Sequence, residues 1–389
     1  MQNFVLTAQN LPTVAERVVW LAIDTEREEN ARLLERLPVS VWPTFYVVDP
    51  DGLAIAGRWL GAASPSQFAR FVEEGDRSAE LARHGAAGSD ADPLRALVRA
   101  DELAAGGHLA EAARAYGAAL AAAPTDWPRR PETLVAQITS LYKAKDFPGC
   151  LALGAGSAGQ TGSSASAIDF AYYALECAAQ TQPSTPQVPQ LRRMLVERLQ
   201  PLCERGSPEL SPDDQADACD KLSSAFSALG DSAAGRRATE ARLGVLDRAA
   251  ANKPPEIALT YDWARTDALL QLGRAEEALA IATQRERELP DNYNPPHYRA
   301  KAFKALGRWQ DGLVAIDRAL SLAYGPRKIG LLTLKADLQF GAGRAADGAS
   351  TLKQQLELYR TLPAGQRQPA AEARVEQRLR ELPPAAPGR

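Results

Sequence analysis

The sequence predicts an α/β segment followed by an all-α repeat array, and three observations carry that prediction. Short β-branched apolar runs bounded by turn residues occur only ahead of about residue 75. Beyond residue 92, glycines recur at a spacing of roughly 34 residues, with small residues at fixed offsets behind them. Of the 389 residues, 45% are hydrophobic and 24% charged, which is the balance of a folded chain of two or three domains with a sizeable core.

Charge and composition remove several function classes. With 45 basic against 48 acidic side chains and a net charge of -3, no overall field draws the chain to nucleic acid or anionic lipid. No apolar run approaches the roughly 18 residues of a spanning helix, so no membrane insertion is expected, and the first ten residues lack a basic stretch followed by an apolar one. The chain as written is therefore expected to be cytoplasmic, or periplasmic or exported if the natural N-terminus is longer. The four cysteines, Cys150, Cys177, Cys203 and Cys219, form no Cys-x-x-Cys, and three histidines are too few for most zinc sites. No metal and no cofactor is expected.

Val18 to Asp24 is a short apolar run of the kind found in a strand buried on both faces. Glu28 to Leu37 follows as a helix, with Ala31, Leu34 and Leu37 on one stripe and acidic residues in its first turn. Pro38 stops it. Thr44 to Val48 is a second strand, and the turn formers Asp49-Pro50-Asp51-Gly52 return the chain as a hairpin through Ala54 to Leu60. Ser64-Pro65-Ser66-Gln67 then opens a helix with a capping box, and Phe68 and Phe71 face inward.

This order, with Val41-Trp42-Pro43-Thr44 ahead of the second strand and Gly61 ahead of the last helix, resembles the C-terminal part of the thioredoxin fold over residues 18 to 74. The resemblance implies a cis bond at Pro43 and assigns Trp42, Pro43 and Thr44 to the loop that family sets beside its redox centre. It also places the family's Cys-x-x-Cys at or before Met1, together with the central strand that would pair Val18–Asp24 with Thr44–Val48. Two expectations follow: either the natural chain starts upstream, or those two strands pair with each other in a reduced sheet.

Residues 76 to 92 read as a linker. From 93 to 381 the pattern is helical. Asp92-Pro93 starts one helix, Gly106-Gly107 ends it, and Leu109, Ala112, Ala113, Tyr116, Ala119 and Leu120 stripe a second that Pro124 terminates. Copies of this hairpin recur around Gly273, Gly307 and Gly343, with Arg285 and Gln355 standing where the pattern calls for alanine. These offsets resemble the tetratricopeptide repeat. Between the copies, Leu134 to Ala144 and Phe147 to Leu153 pair with Lys145 in place of the turn glycine, and further helices run to Leu246; divergent repeats are the preferred reading. The tail 382 to 389 is expected to be disordered. The fold class is thus α/β followed by all-α, an incomplete thioredoxin-like sheet plus a tetratricopeptide-type helical solenoid.

Candidate chemistry is sparse. Gly154-Ala155-Gly156-Ser157-Ala158-Gly159 has the spacing of a dinucleotide loop but follows a helix, and reads as an inter-helix loop. Asp213, Asp214, Asp217 and Asp220 cluster at a helix start that favours acidic residues by its dipole. The cysteines read as free core residues and the histidines, His84, His108 and His297, lie in separate segments. No residue is assigned to catalysis. What the tetratricopeptide resemblance implies is a groove lined by the first helix of each hairpin, taking a protein or peptide partner. Carried over by offset, it selects Trp263, Asp267, His297, Lys301, Lys304, Thr333 and Asp337. The expected function is a protein–protein interaction scaffold with a redox-inactive leading segment; the alternative is a thiol-disulfide oxidoreductase whose cysteine pair lies upstream. Oligomeric state is left open.

Overall fold

The computed structural model describes residues 5–7, 18–83 and 92–382. His84, residues 84–91 of the expected linker and the tail beyond Leu382 lie outside the described residues. In chain order the elements are α1 (Ala31–Arg36), β1 (Thr44–Val48), β2 (Ile55–Leu60), α2 (Pro65–Arg83), α3 (Pro93–Ala105) and α4 (Leu109–Ala122). They continue with α5 (Arg130–Lys143), α6 (Phe147–Ser157), α7 (Ala165–Ala179), α8 (Gln187–Arg205), α9 (Pro212–Ala228) and α10 (Ser232–Ala250). The last are α11 (Pro255–Gln271), α12 (Ala275–Glu288), α13 (Asn294–Ala305), α14 (Trp309–Leu322), α15 (Arg327–Gly341), α16 (Ala345–Thr361) and α17 (Pro369–Glu381).

The chain divides into two compact units. Unit 1 is Met1–Leu21 with Val39–Val245, and unit 2 is Ala22–Pro38 with Leu246–Arg389.

In unit 1, β1 and β2 form a two-stranded antiparallel sheet, Thr44 opposite Leu60 and Phe45 opposite Trp59, as the turn chemistry predicts. The Trp42–Pro43 bond is cis. Ser64 and Gln67 make the expected reciprocal cap, and Phe68 and Phe71 are buried with Trp59 and Val72. Two expectations fail. Val18 to Asp24 is not a strand: it lies without ladder partners among the described residues, with Val19 89% and Leu21 76% exposed. β-propensity alone does not hold a strand whose backbone has no neighbour to pair with. Helix α2 also runs on to Arg83, through what the composition suggested was linker.

The sheet and α2 are tied into the helices by buried polar groups. Asp101 on α3 accepts from the Arg58 amide (3.0 Å) and from the Tyr116 hydroxyl (2.7 Å). Arg129 pairs with Glu74 of α2 at 2.7 Å and with Glu132 at 2.8 Å. Helices α5, α7 and α9 pack in succession, α6 packs on α8, and Ser223 of α9 bonds to Gly235 and Thr239 of α10, so α5/α6, α7/α8 and α9/α10 are successive pairs around the largest core.

All four cysteines are disulfide-bonded, Cys150 to Cys177 and Cys203 to Cys219, which corrects the reading of free thiols. Each bond joins the second helix of one pair to the first helix of the next. Separations of 27 and 16 residues across helix ends gave no sequence signal for this. The glycine-rich run at 154 to 159 is likewise not all loop, because Gly154 and Gly156 lie inside α6 and a 3-10 turn follows.

Unit 2 is built from α11/α12, α13/α14 and α15/α16, with α17 packed on α16. Its turns show why the glycines recur. At Gly307, φ is 69°, its amide donates to the Lys304 carbonyl (3.2 Å) and the next amide, Arg308, reaches back to Phe303 (2.9 Å), the Schellman closure of a helix end. The same pair of bonds closes the turns at Gly107, Gly273 and Gly343 and, in the irregular middle, at Gly230 and at Lys145, whose φ is 61°. The hairpins around Lys145 and Gly230 are thus closed like the regular ones. The small residue five positions on is steric: a Cβ at Gly312 would stand 2.5 Å from Leu338, and one at Gly348 2.7 Å from Phe340.

Where the repeat pattern breaks, a buried polar contact fills the position. Arg285 pairs with Asp262 of α11 at 2.7 Å and with Glu288. Gln355 donates to the Thr333 hydroxyl (2.7 Å) and to the Ile329 carbonyl (3.1 Å) of α15.

Candidate protein-binding face

The first helices of the three pairs in unit 2, α11, α13 and α15, touch one another in sequence, so their outward residues share one face. On a helix packed this way, three or four positions per two turns turn inward and the rest remain accessible. Trp263 is one of these accessible positions, 52% exposed, although most aromatic side chains of unit 2 are partly or fully buried. The Lys301 ammonium of α13 lies 5.9 Å from the centroid of its ring, within cation–π range. On the neighbouring helix pair, Lys304 meets Asp337 at 2.5 Å, and Arg378 of α17 meets the other oxygen of Asp337 at 2.6 Å.

The seven positions selected by offset therefore separate. Trp263 with Lys301, and Lys304 with Asp337, are brought together. Asp267 accepts from Gln271 on its own helix at 2.9 Å. His297 is partly buried against Tyr298 (rings 5.6 Å apart), and burial, then the Lys301 charge, push its imidazole down to about 4, so it is neutral near pH 7. Thr333 is turned toward α16, where it takes the Gln355 hydrogen bond. Arg378 escaped the sequence reading because α17 lies beyond the last recognisable turn glycine, where no offset could select it.

In unit 1, the loop of Trp42, Pro43 and Thr44 borders a separate cavity of about 210 Å³ whose far wall includes Asp169, Asp213, Asp214 and Asp217. Trp42 is 59% exposed at its edge, and Thr44 is turned away, donating to the Val41 carbonyl at 2.6 Å. Asp214 is engaged in the capping box with Ser211. Burial, and then the charges of Asp214 and Asp217, hold the Asp169 carboxyl well above the usual carboxylate range. Asp169 sits against Gly61, where a Cβ would come within 2.2 Å of its oxygen. Among the described residues no three His, Cys, Asp or Glu side chains are arranged to hold a metal ion, and no helix is long and apolar enough to cross a membrane.

No protein-family model matches the sequence, and no curated protein matches it. Among solved structures, a tetratricopeptide repeat protein from Parabacteroides merdae is similar over 74% of this chain and 97% of its own, at 12% identity and a TM-score of 0.46. The assembly chaperone of RpL4, Acl4 (residues 1–338), is similar over 75% of this chain and 97% of its own, at 15% identity and a TM-score of 0.36. MamA AMB-1 covers 43% of this chain with 96% of its own, at 18% identity and a TM-score of 0.28.

Proposed function

We propose that the chain is a protein-interaction scaffold that receives a peptide or helix of a partner on the α11–α13–α15 face, with Trp263 and Lys301 as the anchor. The observation that carries this reading is Trp263 itself. A tryptophan left half uncovered on a packed helix, with a cation over its ring, has the residue type and setting enriched at binding hot spots. Lys304, Asp337 and Arg378 supply a charged margin beside it that fixes register more than affinity.

The test is site-specific photo-crosslinking in native extract, with the crosslinker at Thr260, exposed one turn from Trp263 on α11, or at Val314, a 65% exposed residue of α14. A single partner should be captured from 260, lost on Trp263→Ala or Lys301→Glu, and absent from 314. Equal capture from both positions would refute the assignment.

The same proposal takes the β1–β2 hairpin with α2 as a thioredoxin-like segment without redox function. The cis bond at Pro43, the tight hairpin and Gly61 before α2, in that order, support it. With every cysteine in a buried disulfide, the protein is expected not to reduce insulin, and measurable turnover would defeat this part. The disulfides also favour an oxidising compartment over the cytoplasm; recovery of the native protein with alkylatable thiols would argue the reverse.

A further inference from the structure

Residues 22–38 pack within unit 2 against helices nearly three hundred positions later in the sequence. The contact is specific. Arg327, at the start of α15, lies over the rings of Tyr324 (4.3 Å) and Tyr293 (5.3 Å). So held, its guanidinium donates to the Glu26 carboxylate and, at 3.3 Å, to Asp24. The Tyr324 hydroxyl donates to the same Asp24 oxygen, and Arg27 covers the Tyr324 ring at 4.0 Å.

The backbone around the two acids is read as well. The buried Gln366 amide donates to the carbonyls of Thr25 (3.1 Å) and Arg27 (2.9 Å). Two glycines make room: a Cβ on Gly325 would stand 2.5 Å from the Glu26 carbonyl, and one on Gly365 2.4 Å from that of Ala31. The segment itself buries little, chiefly Ala31 and Leu34. Its ion pairs stay partly open, with Asp24 and Glu26 side chains about a third exposed (35% and 34%), and pairs in that setting hold weakly. A receptor shaped this closely around a lightly held occupant can exchange it.

We propose that Tyr293, Tyr324, Arg327 and Gln366 form a second binding site, specific for an acidic turn with Asp-x-Glu spacing, which residues 24–27 occupy in cis and a partner's acidic turn displaces. The cation held by two rings and the Gln366 side-chain amide define that ligand, because they require two carboxylates on one turn, closed here by the Arg27 amide on the Asp24 carbonyl (3.3 Å), with carbonyls left open to the amide.

The probe is a fluorescent synthetic peptide of residues 22–38, titrated by anisotropy against the full chain. The Asp24→Asn/Glu26→Gln chain should bind it at least tenfold more tightly than the unaltered chain. Adding Arg327→Ala should abolish that gain, whereas Trp263→Ala should leave it intact, which separates this site from the α11–α13–α15 face. In the unaltered chain, excess peptide should raise amide exchange at residues 24–34. Equal affinity in the double variant and the unaltered chain, binding that survives Arg327→Ala, or unchanged exchange at 24–34 would each overturn the proposal.

Discussion

In unit 1 the pairs from α5 to α10 follow at uneven spacing, and two of the seams between them carry disulfides. In unit 2 the pairs follow at nearly constant spacing, no cysteine is present, and the same kind of seam is packed through Gly312 against Leu338 and Gly341 against Trp309. Apart from α7/α8, the pairs of both units close with the same backbone hydrogen bonds, so the main difference lies between pairs. An array in which each pair contacts only its neighbours depends on those seams for cohesion. Small residues that let helices approach supply it in unit 2, and covalent links supply it where that regularity is lost.

The largest expected effect follows from this contrast. Replacing both disulfides with Cys→Ala pairs should cost unit 1 about 2–5 kcal/mol per bond and leave unit 2 unchanged. Hydrogen exchange resolved by peptide would show it, and equal loosening of both units would break the comparison. In unit 2 the corresponding weakness is the Arg285 ion pair: Asp262→Ala leaves a buried guanidinium short of a partner and should cost about 3–5 kcal/mol. The double variant Asp262→Ala/Arg285→Ala, which restores the repeat's small residue, should recover much of that loss in a thermal melt.

Acid should act with opposite sign on the two units. Burial pushes the Asp101 carboxyl of unit 1 up to about 6, against the Tyr116 hydrogen bond and the Arg58 charge. An acid raised in this way favours the folded state below its ordinary pKa of 3.8, and the contribution is lost as pH climbs through 6. His297 of unit 2, lowered to about 4, contributes fully above 6.5 and loses that contribution as pH falls toward 4. Each effect should amount to about 3 kcal/mol, and Asp101→Asn and His297→Gln should each flatten the pH dependence of its own unit. The smallest effect is at the turns. Lys145→Gly relieves a left-handed lysine and should stabilise by up to about 1 kcal/mol, whereas Gly307→Ala should destabilise by a similar amount.

How much of this was legible in the sequence varies with the range of the interaction. The hairpin, the Ser64 cap and the turn glycines were readable because their causes lie within a few residues. Lys145 was already identifiable as a substitute turn residue, and its positive φ agrees with that position. The failures are long-range. Val18–Asp24 carries every local mark of a strand yet has none to pair with among the described residues, and the cysteine pairing depends on which helices abut. At the candidate face, the offset rule selected Trp263, Lys301, Lys304 and Asp337, which lie together, and also Thr333, whose hydroxyl Gln355 draws toward α16. It missed Arg378, which reaches Asp337 from outside the periodic region.

Under tension, the two sulfur bridges would act as stops. The Cys150–Cys177 and Cys203–Cys219 loops span separations of 27 and 16 residues, so at about 3.5 Å per residue roughly 95 Å and 55 Å of contour would stay hidden until the bonds were reduced. A single-molecule pull on oxidised protein should therefore end short of full extension by about the sum of those lengths, and adding a reductant should release the missing span.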